Sequence, residues 1–262
     1  MKDIIKELVN PKYKSISSFI HVIINPDYFD NQGEILFTGR NTIKRFCFGG
    51  INVVAKRYGH ITVFNRFMYS TFRKSKAMRA YQYASQLRES GISTPEEIAI
   101  IETYKNGILQ DCYFISAYST YHSMAFLRDN GFNRKSMYPL IDAMVKWIVE
   151  LHDKGIFHQD LNVSNILYKE LANGEYDFQV IDNNRMKFSK NPSMNMRLKN
   201  LCHLSVNMEL HNYILKQYAQ RVQYDCGKSQ LKGSFYKLIF EYRQVCKQRI
   251  KNIFKKRNSS QT

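Results

Sequence analysis

The segment with the most specific chemistry is FHQDLNVSNI, at residues 157–166. It places His158, Asp160 and Asn165 close together between apolar neighbours. A carboxylate such as that of Asp160 can orient an attacking hydroxyl and accept its proton. The amide oxygen of Asn165 can bind the metal ion that neutralises nucleotide phosphates, and His158 would brace the loop from behind. These residue types at this spacing indicate phosphoryl transfer.

Two more residues fit the same chemistry. Asp182 ends the apolar strand predicted in YDFQVID, where a second oxygen ligand for Mg²⁺ is needed. Lys56 ends VVAK on another predicted strand and can hold nucleotide phosphates. Lys56, Asp160, Asn165 and Asp182 follow one another in the order found in kinases, with the His-x-Asp spacing of the kinase catalytic loop. Each is weak evidence alone, but together they predict a kinase-like site.

The first part of the chain predicts a mostly antiparallel sheet with one helix. Its predicted strands lie at about 35–39, 43–48 and 53–58, with two more around the Lys-Asn-Gly turn in 94–119. The helix covers 75–90, with Ser75 as its cap and Gly91 as its end. Before the sheet, residues 1–30 predict a leading segment with turns at Asn10-Pro11 and Asn25-Pro26-Asp27.

The second part predicts helices. Residues 135–155 carry an apolar face, with Trp147 as core filling; the residues of that face are Met137, Ile141, Met144, Val145, Ile148 and Leu151. A hairpin is predicted to turn at Ala172-Asn173-Gly174, followed by mostly helical sequence. The fold class is therefore α+β and bilobal, resembling protein kinases. The predicted divisions are a leading segment at 1–30, an N-lobe at 31–117, a C-lobe at 118–255 and a frayed tail at 256–262.

Composition limits the other possibilities. The 262 residues are 44% hydrophobic, enough for a sizeable core, and no run of 18 apolar residues predicts a membrane span. The N-terminal sequence is not typical of a secretory signal. The five scattered cysteines indicate reduced thiols in a cytosolic protein. The net charge of +17 predicts an anionic partner. Nucleic acid is the less favoured one, because no zinc-ligand, helix-turn-helix or RNA-recognition motif is present.

These motifs resemble the Kdo/WaaP lipopolysaccharide kinase family, bacterial enzymes with a protein-kinase-like fold that phosphorylate sugars of the lipopolysaccharide inner core. The segments that carry the resemblance are 38–46, 72–102, 155–168 and 176–188. The resemblance implies an ATP- and Mg²⁺-dependent phosphotransferase acting on a hydroxyl of Kdo or heptose. It also implies a cytoplasmic protein with an anionic sugar or glycolipid as substrate.

The resemblance also implies roles for individual residues. Asp160 would be the catalytic base, supported by His158, and Asn165 and Asp182 would be the Mg²⁺ ligands. Nucleotide binding would fall to Lys56 and to the turn Gly39, Arg40 and Asn41, whose backbone N–H groups would face phosphate.

Several departures from protein kinases bear on activity. Gln159 stands where protein kinases have an arginine, Asn183 and Asn184 follow Asp182, and no Ala-Pro-Glu triplet follows. These features argue against a regulated protein kinase. In addition, the helix at 75–90 offers Gln82 and Gln86, and not a mid-helix glutamate, as a partner for Lys56. We therefore expect Gln82 to take part in cofactor binding through Lys56, unless another acid such as Glu102 replaces it.

Two basic groups predict contacts with anions. Arg185 and Lys187, close to Asp182, are candidates for substrate binding. The C-terminal stretch FYKLIFEYRQVCKQRIKNIFKKR has one apolar side; its residues are Phe235, Leu238, Ile239, Tyr242, Val245 and Cys246. This stretch could adhere peripherally to the acidic inner face of the cytoplasmic membrane, or it could be a helix packed on the second lobe with a solvated basic face.

Two other functions compete with a lipopolysaccharide kinase. The missing mid-helix glutamate motivates a non-catalytic scaffold that binds nucleotide or tethers partners at the membrane. An aminoglycoside- or choline-type phosphotransferase would share the fold and the His-x-Asp motif, and fold alone could not separate it.

Overall fold

The computed structural model describes residues 4–59, 66, 68–69, 73–129, 135–204 and 206–259. These residues form two compact units: the first comprises 1–121 with 179–185, and the second comprises 122–178 with 186–262. No helix among the described residues is long and apolar enough to cross a membrane. All five cysteines are free.

The first unit is built on a six-stranded antiparallel sheet with strand order β1-β5-β6-β4-β3-β2. Its strands are β1 (Ile4–Val9), β2 (Glu34–Thr38), β3 (Thr42–Phe48), β4 (Ile51–Arg57), β5 (Glu97–Lys105) and β6 (Ile108–Ala117). Its helices are α1 (Ser17–Ile23), α2 (Pro26–Asn31) and α3 (Lys76–Glu89). The predicted hairpin between β5 and β6 is confirmed, since Asn106 and Gly107 have φ values of 53° and 75°, as a tight turn of this kind requires.

The sequence predicts turns at Asn10-Pro11 and Asn25-Pro26-Asp27 in the leading segment 1–30 but no strand, whereas the structure has a strand there. Residues 4–9 form β1, which pairs antiparallel with β5 from Ile4 opposite Tyr104 to Val9 opposite Ala99. The Asn-Pro pairs begin helical turns, because Asn10 and Asn25 cap the backbone amides that follow and proline fits the first helical position. The helices α1 and α2 then bury apolar residues in the core of this unit.

The second unit combines helices with two small sheets, of strand order β10-β9-β7 and β11-β8. Its strands are β7 (His122–Ser123), β8 (Ile156–His158), β9 (Ile166–Glu170), β10 (Tyr176–Val180) and β11 (Met186–Phe188). Its helices are α4 (Phe126–Asp129), α5 (Tyr138–Asp153), α6 (Met194–Leu201), α7 (Met208–Arg221) and α8 (Cys226–Ser259). The last residues of β10 belong to the first unit, as does the segment up to Arg185.

The helix α5 forms the core of the second unit as its sequence predicts. Ile141, Met144, Val145 and Ile148 are fully buried, and Trp147 stacks on a phenylalanine of β10 with ring centroids 5.5 Å apart. Met137 is the exception, since it lies half-buried just before the helix begins.

The C-terminus of α5 is followed by Gly155, which has a φ of 71°. A Cβ at Gly155 would lie 1.9 Å from the carbonyl oxygen of Ser189, so only glycine fits where β8 begins. The last helix of this unit, α8, continues to Ser259 and so extends into the predicted tail. Residues 260–262 lie outside the described residues.

Candidate active site

The loop after β8 holds three of the predicted residues in one hydrogen-bonded arrangement. Asp160 donates its backbone N–H to His158 Nδ1 at 3.1 Å, and His158 is buried. Asn165, at the end of a short 3₁₀ turn, donates its Nδ2 to the Asp160 carbonyl oxygen at 2.9 Å. The amide group of Asn165 is thereby oriented with its oxygen as the remaining acceptor, and His158 supports the backbone of Asp160.

A chain of buried polar side chains holds this loop in place. Asn200 on α6 donates its Nδ2 to the His158 carbonyl oxygen at 2.8 Å, and its Oδ1 lies 3.0 Å from His152 Nε2. His152 Nδ1 lies 2.8 Å from the Tyr218 hydroxyl, which accepts from Arg197 at 3.2 Å. Burial lowers the pKa of His152 to about 4, so the ring is neutral at pH 7.

One set of proton positions satisfies all the hydrogen bonds in this chain of side chains. Because Asn200 Oδ1 only accepts, His152 must carry its proton on Nε2, and its Nδ1 must accept from the Tyr218 hydroxyl. Neither His152 nor Asn200 was predicted as a site residue. The one signal in the sequence was a histidine on the apolar side of α5, four residues after Ile148, where it needs a buried partner.

In the first unit Lys56 and Asp182 form an ion pair. Lys56 Nζ lies 2.6 Å from Asp182 Oδ1, and the lysine side chain is 10% exposed against 33% for the aspartate. Asn184 Nδ2 also donates to Asp182 Oδ1. Asp182 has a φ of 60°, a left-handed conformation that costs a non-glycine residue about 1 kcal/mol and is common at functional positions.

The segment around Asp182 is fastened to the turn that follows α3. Val180 donates its N–H to the Ser93 carbonyl oxygen at 3.1 Å and accepts from Thr94 Oγ1 at 2.7 Å. Asn183 donates its Nδ2 to Thr94 Oγ1 at 2.8 Å. The two segments that carried much of the resemblance, 72–102 and 176–188, are therefore linked by hydrogen bonds.

The structure does not place Gln82 on Lys56. Gln82 Oε1 accepts a hydrogen bond from Lys74 Nζ at 2.8 Å. Among the described residues, Lys56 Nζ donates to Asp182 and lies 5.1 Å from the centroid of the Tyr58 ring. Glu102 does not replace Gln82, since its hydrogen-bond partner is the Tyr104 hydroxyl.

The charges of three arginines of the first unit act on Lys76, and we call these four residues the basic cluster: Arg40, Lys76, Arg79 and Arg185. Burial lowers the pKa of Lys76, and the charges of Arg40, Arg185 and Arg79 lower it further. Lys76 Nζ also lies 5.8 Å from the centroid of the Tyr58 ring, the ring that Lys56 approaches. Several positive charges gathered around Lys76 favour the binding of an anion. Lys76 and Arg79 were not among the predicted site residues, although the sequence shows them in a basic run before and within α3.

The turn at 39–41 is a plain hairpin connection in this structure. Gly39 donates its N–H to the Asn41 carbonyl oxygen at 3.1 Å, and a Cβ at Gly59 would lie 2.7 Å from the Arg40 carbonyl oxygen. The Asn41 Oδ1 atom is buried without a hydrogen-bond partner. Of these three residues, Arg40 is the one with a charge to offer a phosphate.

The second unit contains a cavity of about 350 Å³ lined by Gln159, Lys187, Asn195, Lys199 and His203, with Phe157, Ser193, Met196 and Asn200 completing the lining. No carboxylate lines it. Burial lowers the pKa of His203, although the charge of Asp160 acts in the opposite direction. The cavity therefore carries positive charge, and the charge of Asp160 acts on one of its lining residues, His203. Of the two predicted substrate residues, Lys187 lines this cavity, whereas Arg185 belongs to the first unit.

Each unit offers an oxygen donor of the kind that Mg²⁺ takes. Mg²⁺ prefers one or two protein oxygens combined with phosphate oxygens; the first unit offers the Asp182 carboxylate, and the second unit offers the Asn165 amide oxygen. The basic cluster and Lys56 offer the positive charge that a triphosphate needs.

Comparison with known proteins identifies a family and a fold. Residues 54–224 match the profile of the "Lipopolysaccharide kinase (Kdo/WaaP) family". No curated protein matches the sequence. Among solved structures, the chain is similar to "WaaP in complex with acyl carrier protein", with 15% identity, 94% of this chain and 99% of that chain covered, and a TM-score of 0.58. It also matches the Rio2 kinase–ADP/Mg²⁺–phosphoaspartate complex from Chaetomium thermophilum, with 15% identity, 86% and 67% covered, and a TM-score of 0.48.

The predicted α+β, kinase-like fold class is confirmed by the likeness to WaaP, and the predicted family by the match over most of the chain. The chain belongs to the lipopolysaccharide kinase (Kdo/WaaP) family and is a phosphotransferase with an alcohol group as acceptor.

Proposed function

We propose that this protein transfers the γ-phosphoryl group of ATP to a hydroxyl of a Kdo or heptose sugar in the lipopolysaccharide inner core or its precursor. The observation that carries the proposal is the ion pair of Lys56 with Asp182, 2.6 Å long, in a chain that also presents Asp160 and Asn165 on one braced loop. Family membership supports the lipopolysaccharide acceptor over an aminoglycoside or choline.

Each residue has a role in this proposal. Asp160 orients the sugar hydroxyl and accepts its proton. Asp182 and Asn165 would hold Mg²⁺, which neutralises charge on the phosphates as transfer proceeds. Lys56 and the basic cluster hold the phosphate oxygens of the nucleotide, with Arg40 contributing from the turn at 39–41.

The basic cavity of the second unit is proposed to bind the acceptor. Lys187 and Lys199 can contact an anionic group of the sugar, such as the Kdo carboxylate or a neighbouring phosphate. Gln159 and Asn195 can donate to sugar hydroxyls. Arg185 is assigned to the phosphate side, because its charge acts on Lys76.

The base assignment is tested with Asp160→Asn. We expect kcat to fall by about 10²- to 10⁴-fold, the usual contribution of general base catalysis, with nucleotide affinity nearly unchanged. Asp111→Asn on β6 removes the same charge in the first unit and should leave kcat unchanged. Turnover is followed by mass spectrometry of the acceptor, which gains about 80 Da per phosphate. Full activity of Asp160→Asn would reject the base assignment.

A non-catalytic scaffold is the second candidate, and the observation that favours it is the placement of Gln82 on Lys74. A thermal-shift titration with Mg²⁺–ATP separates the enzyme from a scaffold that binds no nucleotide, and the turnover assay above separates it from a scaffold that does. A nucleotide at about 100 times its Kd stabilises the fold by about 2.7 kcal/mol. The shift should be lost in Lys56→Ala and kept in the exposed control Lys105→Ala. No shift at millimolar nucleotide would favour the scaffold.

We also propose that the protein works at the cytoplasmic face of the inner membrane, where its glycolipid acceptor is made. The net charge of +17 supports attraction to acidic lipids. The WaaP structure contains an acyl carrier protein, so a protein partner of that kind belongs to the candidates for binding, and co-purification would test it.

A further inference from the structure

The helix α8 exposes a row of large apolar side chains, which we call the α8 stripe: Leu231, Phe235, Leu238, Tyr242 and Val245. Their exposed fractions are 75%, 59%, 56%, 70% and 49%. Steps of four and three residues keep all five on one side of a helix. Such a contiguous exposed apolar row, unlike scattered single residues, marks an interaction surface.

The side of α8 that packs on the unit is mixed in character, since it includes Phe240, whose ring centroid lies 4.5 Å from that of His203. Ser229 and Lys237 are buried, and a Cβ at Gly233 would lie 2.4 Å from Leu215 on α7. A helix that only completes a core keeps its apolar side inward, whereas α8 exposes five large apolar side chains to solvent. The helix therefore packs on the second unit, as one of the two predicted alternatives states, but its solvent-facing side is apolar as well as basic.

Basic residues accompany the α8 stripe. Lys228, Lys232, Arg243, Lys247 and Arg249 are all exposed on the same helix. The single acidic side chain between 226 and 250 is Glu241, and it pairs with Lys237 at 2.8 Å. A second copy of the chain would bring like charges together, whereas an anionic lipid surface offers both opposite charge and an apolar interior.

We propose that α8 lies in the interface of an anionic bilayer, with the α8 stripe entering the acyl region and the basic residues contacting lipid phosphates. This deepens the proposed function, since it places the enzyme where a lipid-linked acceptor is held. It does not depend on the catalytic roles above. Each basic residue near such a surface raises the binding constant about fivefold, so the attachment is reversible and sensitive to salt.

Co-sedimentation of the full chain with vesicles tests the proposal. We compare pure phosphatidylcholine with phosphatidylcholine containing about 30 mol % phosphatidylglycerol. The double variant Phe235→Gln/Leu238→Gln removes apolar surface from exposed positions, so the fold should persist, as circular dichroism checks. We expect it to lose at least about tenfold in affinity for anionic vesicles. Gln248→Ala, also exposed on α8 but away from the stripe, should bind like the parent chain.

Other outcomes would overturn the proposal. These are no binding to anionic vesicles, equal binding by the double variant, or a stripe-dependent dimer or stripe-dependent capture of an acidic protein without vesicle binding. Because the assay contains neither nucleotide nor acceptor, a failure here leaves the kinase proposal standing. A failed kinase assay with intact vesicle binding leaves this proposal standing. The double variant should phosphorylate a soluble acceptor at the parent rate.

Discussion

Replacing Asn200 with leucine tests the buried chain of hydrogen bonds that holds the loop of the proposed base, Asp160. Leucine has a similar volume, so it fills the space of the asparagine side chain without offering a hydrogen-bonding atom. The His152 Nε2–H and the His158 carbonyl would both lose their partner. A buried polar group without a partner costs about 1–3 kcal/mol, so the free energy of unfolding should fall by about 2–6 kcal/mol. That is a large share of the usual stability of a domain.

Urea unfolding followed by tryptophan fluorescence measures the loss. The chain has one tryptophan, Trp147, buried on the same helix as His152, so the signal reports on α5 directly. Asn195→Leu, at an exposed position of the same helix as Asn200, is the matched control and should change stability by less than about 0.5 kcal/mol. A loss below about 1 kcal/mol for Asn200→Leu would show that the chain of bonds does not hold the loop.

Further predictions concern pH and glycines. Burial holds the pKa of His152 and His211 at about 4 in the folded chain. Because the unfolded chain takes up protons already below about pH 6.5, the free energy of unfolding should fall by up to about 3 kcal/mol per histidine as the pH is lowered towards 4. Urea midpoints that do not move over this pH range would contradict this. Gly155→Ala should cost at least about 3 kcal/mol, because its Cβ would collide with the Ser189 carbonyl oxygen at a positive φ, and an unchanged midpoint would be contrary evidence. Gly233→Ala should cost about 1–3 kcal/mol by overpacking α8 on α7, and a stabilised variant would refute that packing.

Local patterns predicted much of the fold. The two-residue turns at Gly49–Gly50 and Asn106–Gly107 fixed the hairpins, and the apolar period of α5 fixed its buried face. By contrast, β1 escaped prediction because its side chains are mostly exposed and its pairing with β5 depends on residues about 90 positions away. Strand pairing at such a distance leaves no local signal.

The candidate site divides in the same way. The motif spacing identified His158, Asp160 and Asn165, because a short loop fixes their relation through local hydrogen bonds. The partner of Lys56 could not be predicted, since it depends on which segment packs beside β4, and the structure gives Asp182 in place of Gln82. The sequence likewise could not predict which side of α8 faces solvent.

The pairing of Lys56 has a consequence for control of the enzyme. In protein kinases the corresponding lysine is held by an acid on a mobile helix, and moving that helix switches activity on or off. Here Asp182 and the Tyr58 ring hold Lys56, while the amide of Gln82 on α3 is engaged with Lys74. A displacement of α3 would therefore act on the lysine indirectly, through the hydrogen bonds that join Ser93 and Thr94 to the segment before and after Asp182. Among the described residues, the acid that holds Lys56 does not lie on α3, and we expect the output of the enzyme to follow the supply of nucleotide and acceptor.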